Sequence, residues 1–215
     1  MICRLKILLI LSPKGGSGKS TMARSLAPAA AMDGVSVALL DLDPQGTTAR
    51  WCKRRSERND ELPEVVGFIA EIENGLKACS SVKGVDLVII DTPTAIEKYP
   101  EAMLALIKSS DLILVPTQSS HDDTISVEGI MRVVIAQKRR GAFILNRLKP
   151  RVSENEAARV RLAKTADVLS VSVPDSIQIQ RATAHGLSIC ESSGIGTDEF
   201  LSVWAEIKRR LEICL

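Results

Sequence analysis

The sequence predicts an α/β fold: a single domain spanning residues 1–215, built as a doubly wound, mostly parallel sheet flanked by helices. Three observations lead there. Short apolar runs alternate with longer segments of helical period, and each run closes in turn residues or small polar residues. Aromatics are only 3% of a chain that is 45% hydrophobic, so Ala, Val, Ile and Leu must build the core, as in parallel strands covered on both faces. The first apolar run passes through a glycine-rich loop straight into a helical segment. At 215 residues the chain is long enough to bury a sizeable core.

Taken in order, strands are expected near Leu5 to Leu11, Ser36 to Leu42, Val65 to Phe68, Leu87 to Asp91, Leu112 to Pro116, Ala142 to Asn146 and Val168 to Val173. Helices are expected over Lys19 to Met32, Ile69 to Cys79, Tyr99 to Lys108, Asp123 to Lys138, Glu154 to Lys164 and Thr197 to Leu211. Right-handed strand–helix–strand crossovers then place any ligand at the carboxyl ends of the strands. The polar stretch Cys52 to Pro63 reads as a surface excursion, too short to be a domain boundary.

Composition excludes several classes. Cys3, Cys52, Cys79, Cys190 and Cys214 are scattered without a Cys-x-x-Cys pair, so they read as reduced structural thiols and give no support to a metal or iron–sulfur site. His121 and His185 lie outside any triad-like or metal-like spacing. With no signal peptide and no long apolar run, the chain reads as cytoplasmic. Net charge is +2, but ten Lys or Arg against two Glu fall between Arg132 and Lys164.

The chemistry begins at Pro13-Lys-Gly-Gly-Ser-Gly-Lys-Ser-Thr21. Pro13 stands where the phosphate-loop pattern Gly-x-x-x-x-Gly-Lys-Ser/Thr has its first Gly, while Gly15, Gly16, Ser17, Gly18, Lys19, Ser20 and Thr21 complete the loop and the helix start. Glycines let backbone N–H groups turn toward phosphate oxygens, and the following helix N-terminus favours an anion. Lys19 would reach the β and γ phosphates of ATP and Ser20 would place its hydroxyl on Mg2+. Two further strands end in carboxylates: Leu39-Leu-Asp-Leu-Asp-Pro-Gln-Gly46 carries Asp41 and Asp43 on the same side of the sheet, and Val85-Asp-Leu-Val-Ile-Ile-Asp-Thr-Pro93 delivers Asp91 to the metal's water shell.

The additional lysine in Lys-Gly-Gly-x-Gly-Lys-Ser/Thr, with Asp-x-Asp-Pro-Gln-Gly, resembles the deviant Walker A signature of the ParA/MinD family of partition and positioning ATPases. The Asp-x-Asp-Pro-Gln-Gly spelling is closer to ParA than to MinD, and the resemblance runs from Ile7 to about Ile189. It implies a phosphate-loop NTPase fold and a slow, partner-stimulated ATPase that forms a nucleotide-sandwich homodimer. Lys14 then reaches the partner's phosphates, Asp43 orients or activates the hydrolytic water, and Asp41 supports the metal shell. Catalytic roles thus fall to Lys14, Lys19 and Asp43, and Mg2+ to Ser20, Asp41 and Asp91. Leu114-Val-Pro116 with Ser119, Ser120 and Asp123 is similar to the family's loop beside the dimer face. Asn146, in Ile144-Leu-Asn-Arg147, and Pro174 match its adenine-side positions.

Non-specific DNA binding, nucleoid association and a ParB-like centromere-binding or adaptor partner are implied with the resemblance, for segregation of plasmid or chromosome. Lys138, Arg139, Arg140, Arg147, Lys149, Arg151, Arg159, Arg161 and Lys164 are the candidate phosphate contacts. Asp175 and Gln178 stand where many short ParA proteins have arginines, leaving Arg181 as the nearest cation. Because the chain begins almost at its first strand, no N-terminal helix-turn-helix domain is expected, and the chain resembles the short ParA type such as ParF or Soj. Two alternatives belong to the same family: positioning of a protein cargo on the nucleoid, and a MinD-like membrane switch using the stripe Phe200, Leu201, Trp204, Ile207 and Leu211. A final helix packed on the sheet explains that stripe more simply, so no stable membrane association is expected. A metabolic ligase of the dethiobiotin synthetase type is disfavoured by the Asp-Pro-Gln-Gly spelling.

Overall fold

The computed structural model describes residues 4–213 apart from 59 and 95, so Cys3 and Cys214 lie outside the described residues. Seven strands form one sheet: β1 (Lys6–Ile10), β2 (Val37–Asp41), β3 (Val65–Ile69), β4 (Leu87–Asp91), β5 (Leu112–Thr117), β6 (Gly141–Leu145) and β7 (Asp167–Val168). Their spatial order is β3-β2-β4-β1-β5-β6-β7, and every pairing is parallel. The chain starts in the middle, winds outward through β2 to β3, returns to β4, and then crosses β1 toward β7. That reversal makes the carboxyl end of β1 the switch point at which open α/β sheets bind ligands.

Eight α-helices complete the described fold: α1 (Lys19–Met32), α2 (Thr47–Ser56), α3 (Gly75–Ser81), α4 (Pro100–Ser109), α5 (His121–Ala136), α6 (Ser153–Ala163), α7 (Ile177–Ala184) and α8 (Thr197–Leu211). Strand alternation divides the core in two. Leu8, Ile10, Leu39, Ile89 and Leu114 pack with Met22 and Leu26 of α1 and Phe200, Trp204 and Ile207 of α8. Leu9, Leu11, Leu40, Ile90 and Val115 pack with Leu106 of α4 and Met131 and Val134 of α5. Each such buried side chain contributes about 1.5–3 kcal/mol relative to exposure.

The structure moves several expected boundaries. Part of the excursion expected at Cys52 to Pro63 is helix: α2 runs to Ser56, and its buried residues are Thr48, Trp51 and Arg55. A cation on the buried stripe hid the apolar period. Arg55 is accommodated by Glu191, whose Oε2 accepts from it at 2.8 Å, and by the Pro63 carbonyl at 2.8 Å. The expected helix from Ile69 begins later, because β3 continues through Ile69 and a 3-10 turn at Ile72–Asn74 precedes α3.

The strand expected over Val168 to Val173 keeps only Asp167–Val168 in the ladder. Residues 170–172 leave it and the chain rejoins β6 at Val173, whose N–H donates to the Leu145 carbonyl at 2.9 Å. Arg159 holds that excursion through the Leu169 carbonyl at 2.7 Å and Ser172 Oγ at 2.6 Å, while Glu206 accepts from Ser170 N–H at 3.0 Å. The helix α7 had no counterpart among the expected elements.

The apolar face of α8 is occupied. Phe200, Trp204, Ile207 and Leu211 are buried, and Trp204 Nε1 donates to Asp33 at 2.9 Å at the end of α1. Leu201 alone of the expected stripe is exposed. No helix among the described residues is long and apolar enough to cross a membrane.

Candidate functional site

Strand register brings the motifs together. Asp91, at the end of β4, lies beside Ile10 at the end of β1 and beside Asp41 at the end of β2. The phosphate loop and both strand-end carboxylates therefore emerge from three adjacent strands. The loop reverses into α1 with Gly16 at φ +77° and Gly18 at φ +97°, the left-handed region where a side chain is strained. Space is equally restrictive at Gly18, where an added Cβ would lie 2.0 Å from Asn146 Nδ2.

Lys19 is buried and bent back into the loop, donating to the Ser12 carbonyl at 3.2 Å and the Lys14 carbonyl at 3.4 Å. Three contacts strap the loop to the other half of the sheet. Asn146 Nδ2 donates to the Ser17 carbonyl at 2.8 Å, Gln118 Nε2 donates to the Gly16 carbonyl at 3.3 Å, and the Lys14 ammonium donates to Asp123 Oδ1. Ser120 Oγ caps α5 by accepting from Asp123 N–H at 3.2 Å, and it donates to Asp123 Oδ2 at 2.6 Å. Burial alone would push the Asp123 carboxyl up, but the Lys14 ammonium and the Ser120 hydroxyl hold it below the usual carboxylate range.

Asp41 is fully buried, and both its oxygens are engaged: Oδ1 accepts from Asp43 N–H at 3.0 Å and Oδ2 from Ala49 N–H at 2.8 Å. It anchors the turn that presents Asp43 and starts α2. Burial pushes its carboxyl above the ordinary value, against those backbone N–H groups. Asp91 is also fully buried and accepts from Thr48 Oγ1 at 2.7 Å through Oδ2, whereas its Oδ1 has no hydrogen-bond partner. Burial pushes Asp91 up to about 6, with the Thr48 and Ser20 hydroxyls and Lys19 pulling the other way. A buried, unsatisfied carboxylate oxygen next to Ser20 fits Mg2+, a hard cation usually held by one or two protein oxygens, waters and phosphate.

Above these groups opens a cleft of about 450 Å3 lined by Gly16, Gly18, Lys19, Ser20 and Thr21, with Asp43 and Thr94 on one flank and Asn146 and Pro174 on the other. Lys14 is outside that lining, on the rim and half exposed. The exposed Gly15 and the buried Ser17 are also outside that lining, as are the fully buried Asp41 and Asp91. Pro174 is brought to Asn146 because Leu148 bridges to it in parallel.

Arg24 and Thr48 are among the residues of the site that carried no motif signal. Arg24, five residues beyond Lys19 on α1, lines the cleft and donates from Nε to the Ser20 carbonyl at 2.9 Å. Burial holds its guanidinium below the usual arginine value. Thr48 anchors Asp91, although sequence offers only a threonine after a glycine turn.

The cationic run expected as one surface is divided by the fold. Arg159 is spent on the excursion beside β7, and Arg161 pairs with Glu128 at 2.6 Å. Arg147 pairs with Asp175 at 3.3 Å beside the cleft, while Lys138, Arg139 and Arg140 lie at the amino-terminal edge of the sheet. Asp175 is thus ion-paired, and Gln178 accepts from Ile195 N–H.

A parallel doubly wound sheet whose switch point carries a glycine loop, a buried lysine and a strand-end carboxylate defines a phosphate-loop nucleotide-binding protein. The chain belongs to the CobQ/CobB/MinD/ParA nucleotide-binding domain family, whose model matches residues 8–189. It is 28% identical over 213 residues to the maintenance of carboxysome distribution protein A of Gloeobacter kilaueensis, covering 96% of this chain and 94% of that one. It is 23% identical over 224 residues to the chromosome-partitioning ATPase Soj of Thermus thermophilus, covering 87% and 88%. Its fold matches the septum site-determining protein MinD of Pyrococcus horikoshii complexed with Mg-ADP at TM-score 0.75 and 19% identity, over 96% and 97% of the two chains.

Proposed function

We propose that this protein is a ParA-type ATPase that dimerises around ATP and positions a cargo on the nucleoid, hydrolysing ATP to ADP and phosphate when a cargo-bound partner engages it. The observation that carries the reading is the division of labour between two lysines of one loop. Lys19 is buried inside the loop, whereas Lys14 sits on the rim, able to leave Asp123 for a nucleotide held by a second subunit. In that dimer Lys14 stabilises charge on the partner's triphosphate.

Asn146 and Pro174 border the adenine side of the cleft. Asp43, on the turn anchored by Asp41, accepts a proton from the water that attacks the γ phosphorus, and the bond to the β–γ bridging oxygen breaks to release ADP. Mg2+, when bound, neutralises charge on the β and γ phosphate oxygens. Ser20 and Asp91 hold its shell, and Asp41 supports that shell through the turn.

A protein assembly is the cargo we favour, because the likeness to the carboxysome distribution protein spans almost the whole of both chains. Plasmid or chromosome partition through a ParB-like protein is the second reading, supported by the likeness to Soj. Occupation of the apolar face of α8 by the core argues against a MinD-like membrane anchor. The test is light scattering with ATP, ADP and no nucleotide, alongside binding to random-sequence DNA. A dimer formed only with ATP and binding DNA supports the switch, and a monomer in all three states sinks it.

A further inference from the structure

The end of the sheet opposite the phosphate loop carries a concentration of positive charge. Two adjoining hollows, of about 420 and 290 Å3, share Arg139, Arg140 and Arg210, and the second adds Lys6 and Lys138. These residues come from the start of β1, the turn between α5 and β6, and the end of α8. Some of the charge is internally matched: Arg140 pairs with Glu212 at 2.9 Å, and Arg210 with Asp167 at 2.8 Å and Glu206 at 2.9 Å. Asp111 accepts from Ile7 N–H at 2.8 Å and has Arg4 at 3.9 Å. Lys6, Lys138 and Arg139 have no ion-pair partner among the described residues, and Lys138 and Arg139 are exposed.

The turn also shows where this charge can be removed without disturbing the fold. Lys138 has φ +55° in the turn that closes α5, where its N–H donates to the Ile135 carbonyl at 2.8 Å and Arg139 N–H donates to the Val134 carbonyl at 3.2 Å. That left-handed position is one that glycine fills without strain. Among the described residues Arg147, Arg151 and Glu212 share that conformation, so at Lys138 it marks only a position where glycine can replace lysine without strain.

We propose that this amino-terminal edge of the sheet, centred on Lys6, Lys138 and Arg139, is the surface that binds the DNA phosphate backbone. The inference rests on the DNA-binding reading above and adds where binding occurs. Because the proposed dimer meets through the phosphate-loop face, this edge stays open to DNA in both subunits. Contacts of this kind are independent of base sequence and release counterions on binding.

The test is fluorescence anisotropy with a random-sequence duplex in ATP and Mg2+ across a series of salt concentrations. It compares the wild type, a Lys6→Gln/Lys138→Gly/Arg139→Gln variant and a Lys149→Gln/Arg151→Gln variant that removes two rival candidate contacts at the nucleotide end. Lys138→Gly removes the charge and relieves the backbone, so the fold is retained; light scattering with ATP confirms that the variant still dimerises. The edge variant is expected to bind at least tenfold more weakly, with its log–log salt slope shallower by about 0.9 for each DNA phosphate it no longer neutralises. The Lys149→Gln/Arg151→Gln variant is expected to keep the wild-type slope.

An edge variant with wild-type affinity and slope overturns the location and leaves the DNA-binding reading standing. Weakening confined to the Lys149→Gln/Arg151→Gln protein does the same, moving the surface to the nucleotide end. A wild type that binds no DNA with ATP, or binds anionic vesicles instead, overturns both.

Discussion

Lys14 and Asp123, 109 residues apart in sequence, form an ion pair that holds the phosphate loop's outer lysine against the amino-terminal turn of α5. This pair competes with any contact Lys14 makes to a second subunit. At its exposure the pair is worth up to about 1 kcal/mol. Asp123→Asn keeps a side chain that Ser120 can hydrogen-bond while weakening the hold on Lys14. ATP-dependent dimerisation should tighten by about two- to thirtyfold over the two subunits, read by sedimentation velocity. Lys14→Ala should leave nucleotide affinity within a few fold and abolish the dimer. Unchanged dimerisation in both variants would remove Lys14 from the interface.

Asp43 and Lys19 should separate turnover from binding. Asp43→Ala leaves ATP binding and dimerisation intact, and stimulated turnover falls by about 10²–10⁴, the usual range for loss of general acid–base catalysis. Lys19→Ala removes the cation inside the loop and should abolish binding of a fluorescent ATP analogue. An Asp43→Ala protein that stays monomeric with ATP would give Asp43 a role in assembly instead.

Asp91 makes the nucleotide-free protein sensitive to pH. Its pKa in the fold, about 6, lies above the ordinary value of 3.8, so the folded state binds the proton more tightly than the unfolded state. The stability this contributes is complete below about pH 4 and is lost as pH rises through about 6. Asp91→Asn therefore should melt higher than wild type at pH 7.5 without nucleotide, with the gain shrinking toward pH 5. The same variant loses the Mg2+ dependence of nucleotide binding. A melting temperature lowered at pH 7.5 would show that the ionised carboxylate stabilises the apo fold.

Arg55 and Glu191 form a buried pair joining α2 to the segment before α8, with Arg55 over the Trp51 ring at 5.4 Å. Arg55→Ala leaves a buried carboxylate without its partner, and the cost should be about 3–5 kcal/mol in urea unfolding. An Arg55→Met/Glu191→Gln double variant should recover part of that stability. Equal stability of Arg55→Ala and wild type would mean that water replaces the guanidinium.

Elements with a strong local signature were legible in advance. The run Lys19 to Met32 has both a phosphate loop before it and a helical apolar period, and the observed α1 has those bounds. Helix α2 was missed because one of its three buried positions is Arg55, whose burial depends on Glu191, 136 residues away. Helix α7 spans only eight residues, with Ile179 and Ala182 buried, too few for a period to stand out. The basic run from Arg132 to Lys164 looked like one surface because sequence records charge but not direction. Folding spends Arg159 on backbone, pairs Arg161 with Glu128, and separates Arg147 from Arg139 by the length of β6.

By itself the sequence determined the sheet-and-helix alternation and the identity of the phosphate loop, because both are written in residues close together along the chain. Only the tertiary structure decided that Asp41 turns its oxygens to backbone N–H groups while Asp91 keeps one oxygen unsatisfied. It also decided that Lys14 rests on Asp123 and that Arg24 enters the cleft. Each of these depends on which groups are buried together, and burial determines whether a carboxylate needs a partner, a proton or a cation.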